Sequence, residues 1–127
     1  MTLERKIAGK ARDLVQAQKQ EDDPKHEAES KYRSVCEGLP VLLRTAGLAQ
    51  TAAFLNAKQD EHKKAYEHLE SQLRHLGFLG SQDTLFAKAT DPGLTTAQYR
   101  LFSEVAMLVA FWNKRMAQAL LRKKDEK

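Results

Sequence analysis

The chain has 127 residues, with 21 lysines and arginines against 17 aspartates and glutamates, a formal net charge of +4. An apolar fraction of 42% with only six glycines and three prolines excludes a disordered or collagen-like polymer, and a single cysteine excludes an internal disulfide. No apolar run is long enough to span a membrane, and the charged start MTLERKIAGKARDL lacks the apolar centre of a signal peptide, so a cytoplasmic protein of one domain, 1–127, is expected.

Leu3, Ile7, Ala11, Leu14 and Val15 recur at helical spacing, with Arg5, Lys6, Lys10 and Arg12 on other faces. They predict a first helix from Thr2, its cap, to about Lys19. The segment 16–31 is strongly polar and contains Asp22-Asp23-Pro24, so a polar loop is expected over about 20–28. A second helix is expected to begin between Pro24 and Ser30, where Ser30 can cap it, and on it Tyr32, Val35, Cys36, Leu39, Leu42 and Leu43 share one face. Pro40 lies inside that pattern and removes a backbone donor, so a kink or short break is expected there. Gly47 follows Arg44-Thr45-Ala46, where a helix end wants a residue that tolerates positive φ. Leu48 to Leu55 then opens another apolar helix. Its small residues Ala49, Ala52 and Ala53 let backbones approach closely, which places the hairpin 30–55 at the centre of a bundle.

Asn56 to Glu61 is a polar bridge. Ala65, Tyr66, Leu69, Leu73, Leu76 and Leu79 form the core face of the next helix, whose mixed-sign outer face is solvated and whose end is marked by Gly77 and Gly80. A short helix is predicted over 81–89, with Asp83 in its first turn and Leu85-Phe86 as its anchor, followed by a turn at about 90–94. Thr95 or Thr96 opens a last helix to about Arg122, with Leu101, Val105, Leu108, Trp112, Met116 and Ala119 as its stripe. Within it VAMLVAFW (105–112) is apolar almost all round, so it is buried on several sides or joins a partner. The sum is an all-α, compact single-domain bundle of about five to six helices.

No catalytic arrangement can be assembled from these residues. His62, His68 and His75 lie on one helix, but His68 and His75 stand about 10 Å apart along its axis, too far to grip one metal, and no pair has the i, i+4 spacing of a zinc helix. Cys36 falls on a core stripe and reads as an apolar filler. Tyr32, Tyr66, Tyr99 and Trp112 lie on apolar stripes and read as core. No catalytic residue, metal, cofactor or small-molecule substrate is expected.

The basic residues are more informative. Arg33 and Arg44 flank the expected kink, and Lys114, Arg115, Arg122, Lys123 and Lys124 follow the apolar centre of the last helix with no acid between Val105 and Lys124. Such a run is a seat for a phosphate backbone or, more commonly, a solvated face.

Two stretches carry a resemblance. Leu39-Pro40-Val41-Leu42-Leu43-Arg44-Thr45-Ala46-Gly47-Leu48-Ala49-Gln50 and the apolar helix after it resemble the signature of the small helical subunit of type III-B (Cmr) CRISPR effector complexes, with Ala46 where that family often has Asn. Tyr99 to Leu121, with Trp112-Asn113-Lys114-Arg115-Met116-Ala117, is similar to the same family's terminal helix. The resemblance implies a non-catalytic subunit of an RNA-guided antiviral ribonucleoprotein. Copies of itself would stack as a minor filament beside the other subunits, which perform cleavage. It also implies that Arg44, Lys114 and Arg115 contact phosphates of guide or target RNA. The other reading is a helical protein–protein adaptor with no nucleic-acid role, its interface being the all-round apolar helix.

Overall fold

The computed structural model describes residues 2–19 and 27–123, and within them every regular element is a helix. The elements are α1 (Leu3–Gln16), α2 (Glu27–Ala57), α3 (Glu61–His75), α4 (Leu85–Ala89) and α5 (Thr96–Leu120). Most of the expected polar loop, with Asp22-Asp23-Pro24, lies outside the described residues.

Local chemistry sets the ends. Thr2 caps α1 by accepting the Arg5 N–H, and Asp60 caps α3 by accepting the His62 N–H. Thr95 and Gln98 form a reciprocal capping box on α5. Gly77, at φ +88°, closes α3: the Phe78 N–H reaches back to the Leu73 carbonyl (2.9 Å) and the Gly77 N–H to that of Arg74 (3.0 Å). The short α4 begins only at Leu85, four residues later than the sequence suggests. Asp83 instead accepts the Gly80 N–H, and Thr84 is the cap. α3 holds α4 in place, with Glu70 accepting the Leu85 N–H (2.8 Å) and the Tyr66 hydroxyl accepting that of Phe86 (3.0 Å).

α2 begins at Glu27, within the expected window between Pro24 and Ser30, so Ser30 lies inside it and is not its cap. The central hairpin differs from expectation at its kink. Pro40 keeps helical dihedrals and is buried; the chain breaks at Gly47, at φ +86° and ψ 165°. A proline removes a single N–H, and neighbouring packing can absorb that loss, whereas backbone at Gly47's angles cannot propagate a helix. The break is stitched from both sides. The Thr51 hydroxyl donates to the Leu42 carbonyl (3.3 Å), and the Tyr99 hydroxyl accepts the Ala49 N–H (3.0 Å), one of the donors that the restarted helix leaves open.

α2 is the element the others share. α5 packs antiparallel along it, with Tyr99 beside Ala49 at one end and Arg33 donating to the Leu121 carbonyl (2.8 Å) at the other. α1 runs in the same direction as α5, with Ile7 level with Val109 and Val15 level with Ala117 and Leu121. Leu39, Leu48, Leu55, Leu69 and Leu73 fill the main core with Phe102 and Val109. A second cluster gathers Val15, Tyr32, Cys36, Ala65, Ala117 and Leu121.

The buried face of α5 is not the predicted stripe. Phe102, Val105, Ala106, Val109, Ala110, Asn113 and Ala117 point inward, while Leu101, Leu108 and Ala119 face out and Trp112 and Met116 are half-buried. When a helix is apolar all round, periodicity cannot choose its inner face; here Ala106, Ala110 and Ala117 let α5 sit close to its neighbours.

One buried polar contact was not foreseen. Gln72 and Asn113 exchange two amide hydrogen bonds, at 2.7 and 2.9 Å, joining α3 to α5. Each satisfies the other, so Gln72→Leu should destabilise the fold by about 2 kcal/mol by orphaning the Asn113 amide. Adding Asn113→Leu should restore most of that loss in denaturant unfolding. Simple additivity of the two single costs would show that the amides act independently.

Candidate nucleic-acid interface

Part of the positive charge on the surface is committed to internal partners. Lys31 meets Asp60 (2.7 Å), Lys63 donates to the Asn56 side chain, and Arg74 pins the following loop through the carbonyls of Gly80 and Asp83. The C-terminal run, one-signed along the chain, is not so in space. Arg122 pairs with Glu29, which is fully buried on α2, through its guanidinium and its backbone N–H. Gln118 donates to Glu37, and Arg33, half-buried, lies 3.6 Å from that same carboxylate. Arg33 and Arg122 therefore fasten the end of α5 to α2. Lys123 is exposed, and Lys124 is outside the described residues.

The three nominated residues are placed differently. Arg44 is exposed on α2, one turn before the Gly47 break. Lys114 is half-buried and Arg115 exposed on α5. None of the three makes an ion pair among the described residues. Lys114 and Arg115 share one neighbour, the Phe111 ring, whose centroid lies 5.7 Å from the Lys114 ammonium and 5.8 Å from the Arg115 guanidinium. Phe111 is 38% exposed and continues an outer ridge with Leu101 and Leu108. Arg44 stands apart: the antiparallel pairing puts it level with the first half of α5, about 10–15 Å along the axis from Arg115.

Sequence alone does not single out Phe111 among its seven apolar neighbours in VAMLVAFW. The available signal was its spacing: three and four residues before the two cations puts it on their face of the helix. Phe54 repeats the pattern more weakly, with the Lys58 ammonium 5.1 Å from its ring centroid and His62 edge-on. Tyr32 and Tyr66 are buried, as expected, and Tyr99 half-buried.

The histidines have separate partners. His62 Nδ1 lies 2.7 Å from Asp60, and Lys31 followed by His62 holds the Asp60 carboxyl far below the usual range. Cys36 is buried, and burial pushes its thiol up to about 12, so it stays protonated at neutral pH. His68 sits between α1, α2 and α3, with its Nδ1 hydrogen-bonded to the Tyr32 hydroxyl at 2.6 Å. Burial, then Lys64 and Lys10, lowers its pKa to about 4. The unfolded chain takes up this proton near pH 6.5 and the folded one only near 4, so stability is full above 6.5 and falls as pH drops toward 4. Allowing for partial exposure, the loss should be about 2 kcal/mol. His68→Gln, which keeps an acceptor for Tyr32, should flatten urea-derived stability by that amount over this window. Identical pH profiles for the two proteins would show that His68 is readily protonated in place.

The protein is thus a small all-helical bundle whose last helix carries Lys114 and Arg115 around an exposed aromatic ring. The family model described as "CRISPR-associated protein (Cas_Cmr5)" matches residues 3–120. The chain is 33% identical over 97 residues to "CRISPR system Cmr subunit Cmr5" of Thermus thermophilus, covering 76% of this chain and 81% of that one. The X-ray crystal structure of a CRISPR-associated Cmr5 family protein from the same organism is similar to 96% of this chain and all of its own, at 30% identity and a TM-score of 0.80. This chain belongs to the Cmr5 family.

Proposed function

We propose that the protein is a non-catalytic structural subunit of a type III-B CRISPR ribonucleoprotein in the cytoplasm. It stacks with copies of itself beside the other subunits and steadies guide or target RNA through Arg44, Lys114 and Arg115. Family membership supports the assembly. The observation that carries the RNA role is the pair of cations without ion-pair partners among the described residues, Lys114 and Arg115, beside the exposed Phe111. Cations hold a phosphodiester backbone without reading its sequence, and an exposed ring beside them offers a face for an unpaired base. No metal, cofactor or small molecule enters this role.

A helical adaptor that binds only protein is the second reading, and the outward Leu101 and Leu108 favour it. Purification of the tagged protein from its native host at moderate salt separates the two. The proposal expects guide RNA and larger CRISPR subunits to come with it, and RNA binding by the isolated protein to weaken steeply with salt. Protein partners without nucleic acid would establish the adaptor instead, and RNA affinity indifferent to ionic strength would count against the phosphate contacts.

A further inference from the structure

Arg5 and Arg12 lie seven residues apart on α1, on the same face and two turns from one another. Between them Ala8 and Gly9 leave α1 without side-chain bulk, and Met116 of α5 forms the opposite wall. The five residues line an open groove of about 420 Å³ between the two helices. A Cβ at Gly9 would meet nothing within 4 Å, so the floor of the groove is empty space. Arg5's side chain makes no ion pair among the described residues. Arg12 has only Asp13, 3.9 Å away with both side chains mostly exposed, a surface pairing too loose to withhold the guanidinium. Met116 is half-buried, so α5 closes the groove with an apolar side chain and leaves the two guanidiniums of α1 as its charged groups.

We infer that this groove is a second seat for RNA, holding the phosphodiester backbone of a single strand between Arg5 and Arg12. The inference rests on the RNA-binding reading above and extends it to a second helix. Two turns of helix span about 10 Å, the length of about three nucleotides of a stacked strand. A furrow between two packed helices admits one backbone, whereas a double helix presents its phosphates on a rigid cylinder that cannot enter. Guanidinium forks suit phosphate oxygens, and the bare floor lets the strand approach the α1 backbone.

The test uses the full chain and a fluorescent, mixed-sequence single-stranded RNA at low salt, with the matching duplex as competitor. Arg5→Ala with Arg12→Ala should weaken binding about tenfold and reduce the slope of log affinity against log salt by about 1.4, two single-strand phosphate contacts at about 0.7 each. Gly9→Glu places a carboxylate in open space and improves helix propensity, so it should fold normally yet bind as poorly as the double variant. Asp13→Asn should tighten binding two- to threefold. Normal binding by the arginine and Gly9→Glu variants, with loss on charge reversal at Lys114 and Arg115, would overturn this groove while leaving the RNA-binding reading intact. A duplex competing as well as the single strand would also overturn it, as would arginine variants that lose a protein subunit but keep RNA. No salt-sensitive RNA binding by the unaltered protein would end both readings.

Discussion

Gly47→Val should destabilise the protein by about 3 kcal/mol, more than any exposed substitution. At φ +86° and ψ 165° the residue occupies a region that is essentially glycine-only, and a β-branched side chain there sets Cβ against its own backbone. Space is not the obstacle, since the nearest outside atom to an added Cβ is the Tyr99 hydroxyl at 3.9 Å. The cost is conformational and reaches beyond one residue. If the chain relaxes to a continuous helix at 47, the Ala49 N–H swings away from Tyr99 and Thr51 from Leu42, and the two halves of α2 no longer meet α5 and α3 together. Gly47→Ala should cost about 2 kcal/mol by the same route, and Tyr99→Phe, which removes only the acceptor of the Ala49 N–H, about 1 kcal/mol. Thermal unfolding should register the valine variant as a fall of about 10–15 °C in Tm. A fall of a degree or two would mean that the break can move to another residue, with Gly47 a convenience of the turn.

Charge reversal at Lys114 and Arg115 should have the largest effect on binding. Lys114→Glu with Arg115→Glu should reduce affinity for single-stranded RNA about 100-fold at low salt, since each reversal removes a phosphate contact and adds a repulsion. Stability should fall only modestly. Neither side chain has an ion pair among the described residues; each loses a cation–ring contact with Phe111, worth about 0.5–1 kcal/mol at an exposed site, and Arg115 also a long hydrogen bond to Gln118 (3.5 Å). The same reversal at Arg33 and Arg122 should behave in the opposite way, damaging the fold, because those guanidiniums hold the Leu121 carbonyl and the buried Glu29. That contrast distinguishes surface charge available to a ligand from charge spent within the bundle. Unchanged RNA affinity on reversal at 114 and 115 would remove them from the interface and leave the adaptor as the better account.

How far the sequence reached can be judged element by element. The cap at Thr2, the core face of α3 and the helix stop at Gly77 follow from patterns within a turn or two, and all three stand. Pro40 misled because a rule about isolated helices assigned it a break that its buried surroundings do not require. Phe111 stayed hidden because VAMLVAFW has no polar side from which to locate an outer face. Glu29 looked like part of a polar loop; its partner lies 93 residues away, and no local pattern carries that information.

The sequence by itself determined that this is an all-helical chain, where most of its helices begin and end, that a glycine interrupts the hairpin, and the family to which it belongs. These depend on short-range chemistry: caps, periodicity and motif spacing. Only the tertiary structure decided which side of α5 faces inward, that α2 neutralises the C-terminal arginine, and that Arg5 and Arg12 share a groove with Met116. Those outcomes depend on which helices pack together and in which rotation, a choice made by the volumes of Ala106, Ala110 and Ala117 and by buried pairs such as Gln72 with Asn113, between residues far apart in the chain.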